Sequence, residues 1–232
     1  SALHGDNIIK PSKNMDWYKN RTLIATLEAN TLQRKFSNNL RLPVQLVMRW
    51  DNQEKIDQRA YCGKIESGEL KKNQQIKIWP SNQTAKVVKI IYRGNEISFA
   101  SKNKCVTIFL DKDLDVSRGD YIVSENDYPD LTKQINVEIA WMDSDELNIS
   151  RKYILKQSTR EINVKVKLID KLNLNTLQRE SADTLYMNEI GKAVIKSAHP
   201  VLSDSFLNSP KTGSFILIDI ATNQTCAAGM IS

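Results

Sequence analysis

Ile135-Asn136-Val137-Glu138-Ile139-Ala140-Trp141 alternates apolar and polar side chains at every step until its end. Successive side chains of an extended chain point to opposite faces, so this stretch has one side for a core and one for water. The same reading extends in both directions. Downstream lie Tyr153-Ile154-Leu155, Ile162 to Ile169, Gly191 to Lys196, Ser214 to Asp219 and Ala227 to Ile231. Upstream lie Val44 to Trp50, Ala60 to Ile65, Gln75 to Trp79, Val87 to Tyr92, Cys105 to Leu110 and Tyr121 to Ser124. These runs are rich in β-formers, and turn residues such as Arg93-Gly94-Asn95 punctuate them at the spacing of a barrel or sandwich. Six strands are predicted in each half, and closed barrels are favoured because closure removes exposed sheet edges. No sequence repeat links the halves.

The predicted fold class is therefore all-β, with two consecutive barrels and a short helical lead-in. At 232 residues the chain fits two β domains of about 100 residues each. Asn126-Asp127-Tyr128-Pro129-Asp130 is the internal boundary, which divides the chain into residues 1–40, 41–128 and 129–232. Near the start, Asn20 to Ala29 places Leu23, Ile24 and Leu27 on one side of a helix, with Met15, Trp17 and Tyr18 as apolar anchors. The polar stretch from Asn30 to Arg41 reads as a linker.

Composition excludes several functions. Apolar residues at 41% and charged residues at 26% describe a globular rather than a disordered chain. No apolar run reaches the ~18–20 residues of a bilayer span and no leader opens the sequence, which predicts a soluble chain. Cys62, Cys105 and Cys226 are an odd, widely spaced set without a Cys-x-x-Cys, so no disulfide framework or zinc site is expected. Each lies in an apolar run and reads as a small core residue in a reducing cytoplasm. His4 and His199 are too few for a His-rich metal site. The net charge of +6 is spread through every segment, with no basic block interleaved with aromatics, so nucleic acid is not the expected partner.

No motif for catalysis is present. A phosphate loop, a nucleophile elbow, a zinc-binding His-Glu-x-x-His and a plausible Cys–His pair are all absent. Asp111-Lys112-Asp113-Leu114-Asp115 and Asp143-Ser144-Asp145-Glu146 lack the glycine and closing glutamate of a calcium loop and read as solvated turns. No catalytic residue, metal ligand or cofactor is assigned to this sequence from its own motifs.

A resemblance supplies what the motifs do not. Gly63-Lys64-Ile65-Glu66-Ser67-Gly68-Glu69-Leu70-Lys71-Lys72-Asn73-Gln74-Gln75-Ile76 resembles the barrel signature that follows the GTPase domain in elongation factor Tu relatives. Ser1-Ala2-Leu3 with Gly5-Asp6-Asn7 resembles the last guanine motif of such GTPase domains, and Met15 to Leu23 their final helix. Asp115-Val116-Ser117-Arg118-Gly119-Asp120, Met187 to Gly191, Lys211 to Asp219, Thr222-Asn223 and Ala228 to Ile231 resemble the GTPase subunit of two-subunit bacterial sulfate adenylyltransferases. One departure is Ala100-Ser101-Lys102-Asn103, where the family has Ala-Gly-Gln, which leaves the conformation of that loop open.

The resemblance implies that residues 1–40 carry the end of an α/β GTPase domain, with Ser1, Ala2 and Leu3 as the remnant of its guanine-base loop. It implies a translation-factor-type barrel at 41–128 and a C-terminal barrel at 129–232. The phosphate loop, magnesium-linked switch and Asn-Lys-x-Asp motif are expected before Ser1, so GTP and Mg²⁺ belong to the full-length parent and this chain alone is expected to be inactive. The implied partner is the small catalytic subunit, which joins sulfate to the AMP of ATP. The rival is a translation-type elongation factor whose barrels bind aminoacyl-tRNA; it shares the signature at 63–76 but not the runs at 115–120 and 213–219.

Overall fold

The computed structural model describes residues 1–29, 38–52 and 55–232. The chain forms two compact units, Ser1–Lys35 and Phe36–Ser232.

In the first unit a 3-10 turn at Lys13–Met15 precedes helix α1, Leu23–Ala29. The predicted helix began at Asn20; it starts later because Thr22 Oγ1 accepts the Ala25 N–H, as an N-cap hydroxyl does. The expected apolar stripe of Leu23, Ile24 and Leu27 is exposed, and Thr22 is the buried residue. The first-turn amides explain the difference. Leu23 N–H bonds to Asn7 O at 2.9 Å and Ile24 N–H to Ile8 O at 3.0 Å, so the helix is held by its backbone end. Trp17, expected as an anchor, is also exposed and stacks edge-on against Tyr18. The predicted linker lies mostly outside the described residues; Leu40 and Arg41, at its end, are buried.

The second unit opens with β1 (Arg41–Asn52), β2 (Lys55–Lys64), β3 (Glu69–Lys71), β4 (Gln75–Trp79) and β5 (Gln83–Tyr92). It continues with β6 (Asn95–Ile97), β7 (Phe99–Ser101), β8 (Cys105–Leu110) and β9 (Tyr121–Ser124). The pairing order β1-β2-β8-β5-β4-β9 returns to β1, so six strands close a ring in which every neighbour is antiparallel. Closure rests on two strands that change partner midway. β1 pairs with β9 through Arg41–Pro43 and with β2 from Val44 onward, while β5 pairs with β4 through Gln83–Lys86 and with β8 from Val87. Register shifts at Val44/Leu46 and Val87/Lys89 bend the strands at these corners. Pro43, with no N–H to donate, stands where β1 leaves one neighbour for the next.

The third part of the fold comprises β10 (Thr132–Trp141), β11 (Lys152–Gln157), β12 (Arg160–Leu172), β13 (Arg179–Glu180), β14 (Ile190–Val201), β15 (Ser214–Asp219) and β16 (Thr225–Ile231). Here β10-β14-β12-β11-β15-β16 closes a second antiparallel ring. All twelve strands expected from alternation are the ring strands. β3, β6, β7 and β13 are two- or three-residue additions too short to show a period.

Each ring encloses its own core. Leu42, Val44, Tyr61, Ile76, Ile78, Val87, Ile90 and Ile108 fill the first, and Val137, Ile139, Trp141, Leu155, Val164, Ile195 and Leu217 the second. Gly63 lies within β2: a Cβ there would sit 2.3 Å from Pro43 O, so glycine lets the two strands approach. Gly68 turns the chain, at φ +71.

The cysteine expectation holds for one residue of three. Cys226 is buried, while Cys62 is half-buried, with Sγ 3.3 Å from Thr107 Oγ1, and Cys105 is exposed. Alternation sends Cys105 outward because Val106 and Ile108 point in. Burial raises the Cys226 thiol to about 11, so it stays protonated at neutral pH. A thiol reagent is therefore expected to modify Cys105 rapidly in the native chain and Cys226 only on unfolding, as mass spectrometry of timed digests would show.

Candidate functional site

Ser1, Ala2 and Leu3 form an exposed turn, and Leu3 is 88% exposed. Behind it Asp6 is an organising group. Its Oδ1 accepts from Ser12 Oγ at 2.6 Å and Asn14 Nδ2 at 3.1 Å, and the Ser12 bond is the main reason its carboxyl lies below the usual range. Asn7 Oδ1 accepts the Ser12 N–H at 2.8 Å. A depression of about 320 Å³ is lined by Ser1, Asp6, Asn7, Met15, Tyr18 and Leu23 among others; Ala2 and Leu3 do not line it. The structure thus keeps Ser1 near Asp6 and Asn7 without assembling the three predicted base-loop residues around one cavity.

The most heavily built polar site is where the two barrels meet. Arg41, only 4% exposed, lies between two carboxylates. Its Nη1 bonds to Asp127 Oδ2 at 2.5 Å, and Nε and Nη2 bond to Asp204 at 2.8 and 2.9 Å. Burial works against its charge, but Asp204 and then Asp127 outweigh that and raise its pKa. Asp204 also accepts from the buried Thr212 Oγ1 at 2.6 Å. The β11–β12 turn reaches the first barrel alongside: Thr159 Oγ1 donates to Val44 O at 3.0 Å, and Tyr121 Oη to Gln157 O at 3.3 Å. Gln157, fully buried, donates from Nε2 to Leu202 O at 2.7 Å and Thr212 O at 2.5 Å. The Arg160 guanidinium stacks 5.2 Å from the Trp79 ring and faces Asp120 at 3.5 Å. Trp79, Tyr121, Val123 and Leu202 complete a small apolar cluster.

Sequence reasoning missed this junction. One signal was legible: after Tyr153 and Leu155, the next inward position of β11 is a glutamine, a polar residue in a core register. Arg41 gave none, because it stands among polar neighbours in a stretch that reads as linker.

The runs that carried the resemblance make turns. Gly119 has φ +97, Ser117 N–H bonds to Asp120 Oδ2 at 2.9 Å, and Arg118 Nη1 donates to Gln45 O. Asn188 has φ +69, and Glu189 accepts the Tyr186 N–H and pairs with Lys171 at 2.8 Å. Gly213 packs against Phe206, where a Cβ would meet backbone at 2.5 Å. Asp219 Oδ1 accepts from Ala221 N at 2.7 Å and Thr222 N at 3.1 Å. At the divergent loop, Ser101, which stands one position after the alanine where the family pattern has glycine, lies in β7, and Asn103 takes φ +70, a region that asparagine tolerates.

The acidic stretches are also locally engaged. Asp111 accepts the Lys86 N–H, Asp113 pairs with Arg59 at 3.2 Å, and Asp143 accepts the Asp145 N–H. Among the described residues no group of three or more His, Cys, Asp or Glu could hold a metal ion, and no helix is long and apolar enough to cross a membrane.

Residues 134–232 match the family described as GTP-eEF1A C-terminal domain-like. Over all its residues the chain is homologous to sulfate adenylyltransferase subunit 1 of Shewanella woodyi, 35% identical over 232 residues that make up 49% of that protein. It is 37% identical to the bifunctional enzyme CysN/CysC of Rhodopirellula baltica, covering 35% of it. The chain thus spans half or less of the length of these relatives. Its fold is that of Sup35 in a structure complexed with GMPPNP, at TM-score 0.72 and 24% identity, covering all of this chain and 56% of that one.

Two outcomes test the junction and its neighbouring turn. Arg41→Met leaves two partly buried carboxylates without their cation and is expected to cost about 3 kcal/mol, the lower part of the range for breaking a buried pair. Calorimetry should show the barrels of the variant melting separately. For Asp219, the Thr222 and Ala221 amides and Arg151 hold the carboxyl below the usual range. A depressed folded value means stabilisation present above the unfolded pKa of about 3.9 and lost as pH falls through the folded one. Asp219→Ala should therefore cost about 1–2 kcal/mol at pH 7 in urea unfolding, with a smaller difference below about pH 3.

Proposed function

We propose that this chain, a homologue of sulfate adenylyltransferase subunit 1 along its whole length, is the barrel portion of a GTP-driven regulatory subunit of that enzyme. In this reading the whole protein hydrolyses GTP and a separate catalytic subunit forms adenosine 5′-phosphosulfate and pyrophosphate from ATP and sulfate, in the cytoplasm. The observation that carries it is similarity along the whole of this chain, at 33–35% identity to proteins of that name and 37% to a bifunctional enzyme CysN/CysC, across both barrels and the segment before them. Residues 1–40 are the end of the GTPase domain, with Ser1, Ala2 and Leu3 from its guanine-base loop; residues 41–128 and 129–232 are the two barrels.

GTP and Mg²⁺ are held, on this proposal, by the part of the relatives that this chain does not align with. The role of the present residues is mechanical. Arg41, Asp127 and Asp204 couple the barrels, so a nucleotide-dependent displacement felt by one is passed to the other, as a shift between discrete arrangements. The turn-forming runs at Asp115–Asp120 and Lys211–Asp219 shape the surfaces that flank this coupling.

Affinity capture tests the reading. Residues 1–232, immobilised, are expected to retain the purified catalytic subunit of sulfate adenylyltransferase from the same source, to show no tight GTP binding, and to leave aminoacyl-tRNA unshifted in a gel. Retention of tRNA without the catalytic subunit would overturn the proposal in favour of a translation-type factor.

A further inference from the structure

Side chains that are scattered between residues 72 and 104 of the sequence meet on one face of the first barrel. Lys72 follows β3, Lys89 and Tyr92 belong to β5, Arg93 occupies the β5–β6 turn, Phe99 lies on β7 and Lys104 precedes β8. The Lys104 ammonium stands 5.4 Å from the Tyr92 ring centre and 5.9 Å from that of Phe99. The guanidinium of Arg93, the next residue in sequence, stands 5.2 Å from the Tyr92 ring centre. Lys72 bonds to Glu96 at 2.7 Å, and Lys89 lies 4.0 Å from the same carboxylate. Lys72 and Lys89 therefore share the Glu96 carboxylate, while Arg93 and Lys104 lie against the rings, with exposed Lys71 and Glu69 at the margin. The sequence showed no basic block interleaved with aromatics because the interleaving is made by the fold.

The backbone holds this face in place. Arg93 and Gly94 have φ +51 and +82, the two-residue hairpin turn that the twist of paired strands favours. Phe99 is fixed opposite Lys71 by the β3–β7 ribbon, and Lys104 follows the turn at Asn103. Arg93 and Phe99 are both exposed, Phe99 by 39%.

We propose that this face is where the first barrel docks the catalytic subunit, by receiving carboxylates set among apolar side chains on that partner. The assignment rests on the subunit reading given above. Charge complementarity selects an acidic surface, since the local cations outnumber their carboxylate. The ring contacts select protein over nucleic acid. Single-stranded bases need open aromatic faces to stack on, and here Lys104 and Arg93 already lie over Tyr92, and Lys104 over Phe99. Phe99, 39% exposed, and the lysine stems supply apolar contact area between the charges.

The test titrates the purified catalytic subunit against residues 1–232 by calorimetry. The wild-type chain is compared with Arg93→Glu/Lys104→Glu, with the milder Arg93→Gln/Lys104→Gln, and with Lys165→Glu/Lys167→Glu on exposed positions of the second barrel. Expected is a loss of about tenfold or more for the first pair, a smaller loss for the neutral pair, little change for the control, and weakening with added salt. Wild-type binding that the Arg93/Lys104 reversals leave intact would overturn this surface while sparing the subunit assignment. A wild-type chain that does not bind the catalytic subunit would overturn both. Bulk RNA bound by the wild type and lost with Arg93→Glu/Lys104→Glu would reassign the face to nucleic acid.

Discussion

The guanidinium of Arg41 joins parts of the chain that are far apart: Asp127 lies 86 residues away and Asp204 163. Arg41 opens the first strand of one barrel, Asp127 lies in the connection between barrels, and Asp204 lies in the loop preceding the last two strands of the other. A charge at 4% exposure is tolerated only when paired and hydrogen-bonded, so the position of each carboxylate is constrained by the other. The apolar cluster of Trp79, Tyr121, Val123 and Leu202 supplies contact area at this boundary but little direction. The ion pairs and the Gln157 bonds to Leu202 O and Thr212 O supply the direction, because hydrogen bonds fix angle as well as distance.

Alternation revealed the barrels because each ring strand has one face in a core and one outside. Ile162, Val164 and Val166 against Asn163, Lys165 and Lys167 is a pattern with a direct physical cause. The same reasoning failed wherever structure depends on residues distant in sequence. The charge pattern around Arg41 reads as linker until Asp204 is brought beside it. Tyr92, Arg93, Phe99 and Lys104 read as separate strand and turn residues until β5 and β7 converge. Cys105 shows a subtler failure: it sits in an apolar run, but its parity within that run, and not its neighbours' hydrophobicity, decides which side it faces.

The family runs illustrate a third case. Asp115–Asp120, Met187–Gly191 and Lys211–Asp219 were legible as resemblance, and the structure gives each a local reason in a left-handed residue, an amide-capping carboxylate or a close backbone approach. These demands are strict and sequence-local, which is why such runs are recognisable. At the loop that departs from the family pattern, Ser101 pairs with Glu69 in the β3–β7 ribbon and Asn103 takes the left-handed conformation.

The exchange of partners along β1 has a consequence for the order in which the molecule is made. Its later residues pair with β2, the next strand in the chain, while Arg41–Pro43 await β9, some eighty positions further on. The loop that must close before those pairs form carries an entropic cost that the β1–β2 hairpin does not. A ribosome must therefore release residues through Ser124 before the first ring can shut, and through Asp204 before Arg41 has both counter-charges. Until then the first barrel has an open side, and that side holds a cation still waiting for its partner.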